Sequence, residues 1–194
     1  MGCDLRFDAE SDVAALVYRP DDDPDDLLIA LADDLRRSGL RPVGVVQAGR
    51  SCRSSTPRLG VVMLPGGDPI HLVPDAELPA TGCCLDSERL GVVAERLAAA
   101  IDGGADLVII NRFGRSEAAG GGLTGVIARA IDANIPVLIA VPERHFAAWI
   151  SLCGGMNVRL ACRRTALDEW WRSLGRTAAG TAADRADALG RIAK

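Results

Sequence analysis

The sequence DLVIINRFGRSEAAGGGL, residues 106–123, decides the fold of this chain. It opens with a short, fully apolar run, Leu107–Ile110, and a second such run, Val137–Val141, follows further along the chain. Apolar runs without alternation are typical of strands in a parallel sheet that helices cover on both faces. The sequence therefore predicts an α/β fold with a mostly parallel sheet and helices on both faces.

The segments before this stretch support the same fold. Val13–Tyr18 predicts a strand, Leu27–Arg37 a helix, and Pro42–Gln47 a second strand. Asp23 or Pro24 can open the helix, because a carboxylate cap and a proline at the first position both favour a helix start. A strand–helix–strand unit of this length favours parallel pairing of its two strands.

The remaining segments add an insertion and further helices to a single domain, residues 1–194. Residues 48–83 predict an inserted β-hairpin with loops, because two short β-like runs flank the turn residues Pro65–Asp68. Asp86 predicts the start of a helix after it. Further helices are predicted over Leu123–Ala133, Pro142–Ile150, Thr165–Leu174 and Ala178–Ile192, the last two forming a C-terminal helical part, residues 165–194, that carries Trp170 and Trp171.

Composition excludes several classes of partner. Aromatic residues make up 4% of the 194 residues and the formal net charge is −4, which is unlike a protein that binds nucleic acid. No apolar run approaches the roughly 20 residues of a membrane span. The N-terminus has no apolar signal region, so we expect a cytoplasmic protein with six reduced cysteines, no structural metal site and no cofactor. Formation of a homo-oligomer stays open.

The loop within residues 106–123 is the best candidate for a binding site. It leaves the carboxyl end of a predicted strand, where ligands bind in open α/β sheets, and runs through Gly120, Gly121 and Gly122 to a helix. Backbone N–H groups there, with Arg112 and Arg115, would bind an oxyanion. The alternative is a flexible hinge whose arginines pair with Glu117 and other acids.

Two other segments carry reactive side chains. The loop Arg19–Asp26 stands where a phosphate-binding loop would stand, but it contains five acids and no glycine. We interpret its acids mainly as caps on a solvated helix end, although carboxylates also suit hard cations. Cys84 lies just before a predicted helix, where it is either a reactive thiol or a buried apolar residue. His145 shows no acid or nucleophile partner by sequence, and surface or interface packing is the favoured interpretation.

Residues Asn111-Arg112-Phe113-Gly114 with Glu117, followed by residues 135–149, resemble a bacterial family known as domain of unknown function 2478. Gly44–Gln47 and Cys84–Asp86 also resemble that family's pattern. The family is grouped with single-domain P-loop nucleoside triphosphatases, which implies a three-layer sandwich in which the Asn111 segment occupies the Walker B region. Gene neighbourhoods of the family imply a link to molybdenum metabolism, with molybdate as a candidate ligand.

The departures from a P-loop enzyme argue against hydrolysis. Asn111 stands where a carboxylate would hold magnesium, and an amide is uncharged and a poor base. The only lysine is Lys194, so the Walker A lysine is missing. We therefore expect a non-hydrolysing relative that binds a small oxyanion or phosphorylated ligand. The predicted ligand-binding residues are Gln47, Cys84, Asp86, Asn111, Arg112, Gly114, Arg115, Glu117, Gly120, Gly121 and Gly122.

Two alternatives are also compatible with the sequence. One is an active nucleoside triphosphatase or phosphotransferase that uses arginines in place of the lysine. The other is a scaffold or regulatory protein whose interface is anchored by Trp170 and Trp171, since tryptophans are enriched among residues that dominate binding energy.

Overall fold

The computed structural model describes residues 11–48, 60–66, 70–71 and 87–175. The described strands form one sheet in the order β4-β3-β2-β5-β6-β1-β7. All neighbours from β2 to β7 pair in parallel, whereas β3 is antiparallel to both β2 and β4. The strands are β1 Val13–Tyr18, β2 Pro42–Ala48, β3 Gly60–Leu64, β4 Ile70–His71, β5 Leu107–Asn111, β6 Val137–Pro142 and β7 Val158–Ala161.

Helices cover both faces of this sheet. They are α1 Pro24–Arg37, α2 Ser87–Asp102, α3 Arg115–Ala118, α4 Thr124–Asp132, α5 Phe146–Leu152 and α6 Arg164–Ser173, with a 3₁₀ turn at Glu143–His145. Helices α1 and α6 pack into one apolar cluster, and α2, α4 and α5 into the other. Every residue of β5 is buried, since Leu107 faces the first cluster and Val108 the second. This burial on both faces confirms the predicted α/β fold with a mostly parallel sheet.

The inserted hairpin is confirmed by β3 and β4, which extend the sheet beyond β2. The start of α1 also follows the prediction: Asp23 is the N-cap and its Oδ1 accepts a hydrogen bond of 3.1 Å from Asp25 N–H, with Pro24 at the first position. Gly44 in β2 permits a close approach to β5, because a Cβ there would collide with the carbonyl oxygen of Ile109.

Three elements differ from the sequence prediction. The loop Asn111–Gly122 contains a short helix, α3, and the segment after β6 begins with a 3₁₀ turn before α5. Strand β7 was not predicted, because it is an edge strand in which only alternate residues are buried and Arg159 is exposed. The predicted helix Ala178–Ile192 lies outside the described residues.

Trp170 belongs to the core of the described chain. Its side chain is buried in the cluster of α1 and α6, and its indole N–H donates a hydrogen bond of 3.0 Å to the carbonyl oxygen of Ser11. Trp171 packs edge-on against it at 6.4 Å between ring centroids. Trp170 therefore stabilises the fold from inside and is not available as an interface anchor.

Cys153 and Cys162 are free thiols, and the other four cysteines lie outside the described residues. Burial raises the pKa of both thiols, that of Cys162 to about 11 with a further contribution from Asp22 and Asp23. Both therefore stay protonated at neutral pH and are poor nucleophiles. Among the described helices, none has the length and apolar character that crossing a membrane requires.

Candidate functional site

A buried polar contact joins α1 to β5 at the carboxyl edge of the sheet. Asp25 Oδ1 accepts hydrogen bonds from the side-chain amide of Asn111 and, at 3.2 Å, from the backbone N–H of Gln47. Asp25 and Asn111 are both almost fully buried. Asp25 therefore does not lie on a solvated helix end as the sequence suggested, because its carboxylate connects the ends of β2 and β5.

This contact assigns the amide of Asn111. Its Nδ2 faces a carboxylate, which can only accept hydrogen bonds when ionised. Its Oδ1 is buried and has no hydrogen-bond partner within the described part of the chain. The contact therefore pairs a donor at the end of β5 with a carboxylate at the start of α1.

Glu117 closes the loop that follows β5. Its Oε2 accepts a hydrogen bond of 2.9 Å from Gly114 N–H, and its Oε1 accepts one of 3.1 Å from Leu123 N–H. The side chain is buried, and Gly122, at φ +61°, leaves space for it because a Cβ there would collide with Glu117 Oε1. The glycine-rich loop therefore already holds an anion, the carboxylate of Glu117.

Other backbone donors of this loop are also used internally. Gly120 N–H donates to the carbonyl oxygen of Glu117 at 2.9 Å, and Gly121 N–H donates to that of Ser116 at 2.8 Å. An external anion would therefore have to rely on side chains more than on these N–H groups. The two arginines are the charged donors of this loop.

Arg112 and Arg115 lie on either side of a rigid anchor. Phe113 is fully buried between them, its backbone N–H donates to the carbonyl oxygen of Ala140 in β6 at 2.9 Å, and its ring meets Trp149 of α5 at 5.4 Å. Arg112 is half-buried and Arg115 exposed. The anchor holds the backbone that follows β5 against β6, and the peptide bond between Asn111 and Arg112 is cis.

The nearby acids do not neutralise these arginines. Glu117 is bound to backbone N–H groups, and Glu143 pairs with Arg19 at 3.2 Å and with Arg159 at 3.6 Å. Neither Arg112 nor Arg115 forms an ion pair with any residue that the structure describes. The hinge interpretation, in which Glu117 pairs with these arginines, does not match the observed contacts.

A third arginine and a histidine lie beside this pair, and sequence reasoning left both out of the site. Burial lowers the pKa of His145 below its ordinary value, and the charges of Arg144, Arg115 and Arg112 lower it further. All four residues follow the ends of β5 and β6. The signal that could have found Arg144 and His145 was their position, directly after a buried parallel strand next to β5.

The other predicted site residues divide into two groups. The first group forms internal hydrogen bonds. Gln47 donates its backbone N–H to Asp25, to which Asn111 also donates, and Gly114 donates its N–H to Glu117. Cys84 and Asp86 lie outside the described residues. No group of three or more His, Cys, Asp or Glu side chains that could hold a metal ion occurs among the residues described.

Comparison with known proteins places this chain in a family. The model of the family described as "Protein of unknown function (DUF2478)" matches residues 13–170. The chain belongs to this family. It is also 42% identical over 164 residues to the molybdenum import ATP-binding protein ModC 2 of Bradyrhizobium diazoefficiens. That match covers 82% of this chain but 18% of the relative, so the chain spans less than a fifth of the relative's length. No solved structure matches the chain.

Proposed function

We propose that this DUF2478 chain binds a small oxyanion at the carboxyl edge of the sheet between β5 and β6, and that it does so without hydrolysing a nucleotide. The observation that carries the proposal is the pair Arg112 and Arg115, which have no acidic partner within the described ranges, while Glu117 and Glu143 are engaged elsewhere. Unpaired guanidinium groups bind oxyanions through charge-assisted, often bidentate hydrogen bonds.

The buried contact of Asp25 with Asn111 supports the non-hydrolysing part of the proposal. In P-loop enzymes a lysine and a hydroxyl at this helix start bind phosphates and magnesium, and a carboxylate on the facing strand completes the metal site. Here a carboxylate stands at the helix start and would repel a phosphate. The facing side chain, Asn111, is engaged as a donor to that carboxylate.

Molybdate is the candidate oxyanion. The relative from Bradyrhizobium is named as a molybdenum import ATP-binding protein, and the segment that it shares with this chain is a small part of its length. Because this chain has no Walker A lysine, we propose that the shared segment contributes anion binding and not ATP hydrolysis. The same arginines would also bind sulfate or phosphate, which carry similar charge and oxygen geometry.

Titration calorimetry with molybdate, sulfate and phosphate tests the proposal. We expect Arg112→Ala and Arg115→Ala each to weaken binding by about 1.5–3 kcal/mol, or roughly 10- to 150-fold, because each loses charge-assisted hydrogen bonds. The free protein should keep its unfolding midpoint, since neither arginine is buried. The control is Arg172→Ala, which removes the same charge from α6 on the opposite face. Equal binding by all four proteins would contradict the proposal.

The alternative, an enzyme that uses arginines, makes a different prediction about turnover. With magnesium and ATP or GTP, we expect phosphate release at the rate of a buffer control. Turnover of about 1 per second or more that disappears in Arg112→Ala or Arg115→Ala would favour the enzyme instead.

A further inference from the structure

The ends of two neighbouring strands bring four cationic or titratable side chains to one edge. Strands β5 and β6 pair in parallel with Asn111 opposite Ala140, so the loops that follow them leave the sheet side by side. Arg112 and Arg115 follow β5, whereas Arg144 and His145 lie in the 3₁₀ turn that directly follows β6.

The two loops are held together by packing. The hydrogen bond from Phe113 N–H to the carbonyl oxygen of Ala140 ties the first loop to β6, and the edge-to-face contact of Phe113 with Trp149 ties it to α5. Trp149 is fixed in turn, because its indole N–H donates to Asn157 Oδ1 at 3.2 Å. These contacts join the two loops that carry the four side chains, and the charges of the three arginines act on His145.

No ion pair joins Arg112, Arg115 or Arg144 to an acid within the part of the chain that is described, and the acids of the loop after β1, Asp21–Asp23 and Asp26, are not among the charges that shift the pKa of His145. Of the acids on the elements packed around His145, Glu143 pairs with Arg19 and Arg159, and Glu117 is bound to backbone N–H groups. Arg159 stands over the ring of Phe146 at 4.9 Å and adds positive charge on the β7 side. The nearby arginines therefore disfavour the protonated imidazole of His145 as long as no anion is bound.

We propose that Arg144 and His145 complete the oxyanion site and that His145 takes up a proton from solvent when a doubly charged oxyanion binds. This inference rests on the proposed function. A dianion beside three arginines cancels their repulsion of the imidazole proton, and the imidazolium donates a further hydrogen bond to the ligand. The site should therefore prefer sulfate-type dianions to monoanions such as nitrate.

The direction of the pH dependence follows from the pKa of His145. In the free protein this pKa lies below its ordinary value, so the imidazole is neutral at neutral pH. A bound dianion raises the pKa, so binding takes up a proton in the range between the two pKa values. Affinity should fall as pH rises through that range, by up to about tenfold per pH unit.

Calorimetric titration with sulfate tests this, because sulfate keeps its charge across the range from about pH 5.5 to about pH 8.5 that spans histidine titration. Titrations in two buffers of different ionisation enthalpy should show proton uptake by the wild type. His145→Gln should remove the uptake and weaken binding most at the acidic end, and Arg144→Ala should weaken it about 10-fold or more. His71→Gln, which changes the other histidine of the chain, is the matched control and should keep the uptake.

The outcomes separate this inference from the function on which it rests. Absence of sulfate, phosphate and molybdate binding at every pH overturns the proposed function. Binding that depends on Arg112 but shows neither proton uptake nor any effect of Arg144→Ala overturns only the present inference. If His145→Gln fails to fold, proton NMR of the wild type decides, because sulfate should raise the pKa of one of the two histidines and an unchanged pKa for both would contradict the proposal.

Discussion

Replacing Asn111 by Asp is expected to lower the free energy of unfolding by about 2–4 kcal/mol at neutral pH. The change removes the donor that Asp25 Oδ1 accepts from and puts a second carboxylate against it in an almost fully buried position. Two carboxylates that share a site raise the pKa of one of them. The folded variant therefore binds more protons than its unfolded chain. Its loss in free energy of unfolding should become smaller as pH falls and larger as pH rises. Urea unfolding at several pH values measures this.

The matched control exchanges the two side chains in the double variant Asp25→Asn/Asn111→Asp. It restores one amide and one carboxylate with their roles reversed, but an amide nitrogen at position 25 that donates to the new carboxylate cannot also accept from Gln47 N–H. We therefore expect it to recover part of the stability lost by Asn111→Asp alone. A variant Asn111→Asp that is as stable as the wild type at neutral pH would show that Asn111 and Asp25 do not form a buried hydrogen bond.

The parallel strands of the core could be predicted from the sequence, because a strand that is buried on both faces consists of consecutive apolar residues. Val137–Val141 is such a run, and the structure places it in β6 with every residue buried. Strand β7 contains no such apolar run. It pairs with β1 alone at the edge of the sheet and alternates between buried and exposed residues, including Arg159.

The site could be predicted only where its residues are close in sequence. The loop of Arg112 and Arg115 is one continuous segment, and its place at the end of a strand follows from the pattern. The partner of Asn111 could not be found in this way, because Asp25 lies 86 residues away and only the packing of α1 beside β5 brings the two together. The hydrogen-bond partners of Glu117 could not be predicted for another reason. Its carboxylate could pair with arginines or with backbone N–H groups, and the sequence does not decide between them.

Gly122→Ala should be among the most destabilising single changes in this loop, lowering the free energy of unfolding by about 3–5 kcal/mol. Gly122 has φ +61°, which an L side chain adopts only at a cost, and its new Cβ would collide with Glu117 Oε1. Displacing the carboxylate would leave the N–H groups of Gly114 and Leu123 without their acceptor. Urea unfolding with a fitted m-value measures the loss.

Gly120→Ala separates backbone strain from the collision. Gly120 also has a positive φ, +80°, but nothing lies within 4 Å of a Cβ placed there, so we expect a cost of about 1–2 kcal/mol. The difference between the two variants then measures the displacement of Glu117 together with the close approach to Ser116 Cβ. In a Glu117→Ala background the carboxylate is absent, so Gly122→Ala should lose most of its excess cost over Gly120→Ala, because the two changes act on one contact. The remainder comes from the approach of the new Cβ to Ser116 Cβ, 3.2 Å away. If Gly122→Ala costs the same with and without Glu117, the loop is not organised around this carboxylate, and the arginines beside it owe their positions to Phe113 alone.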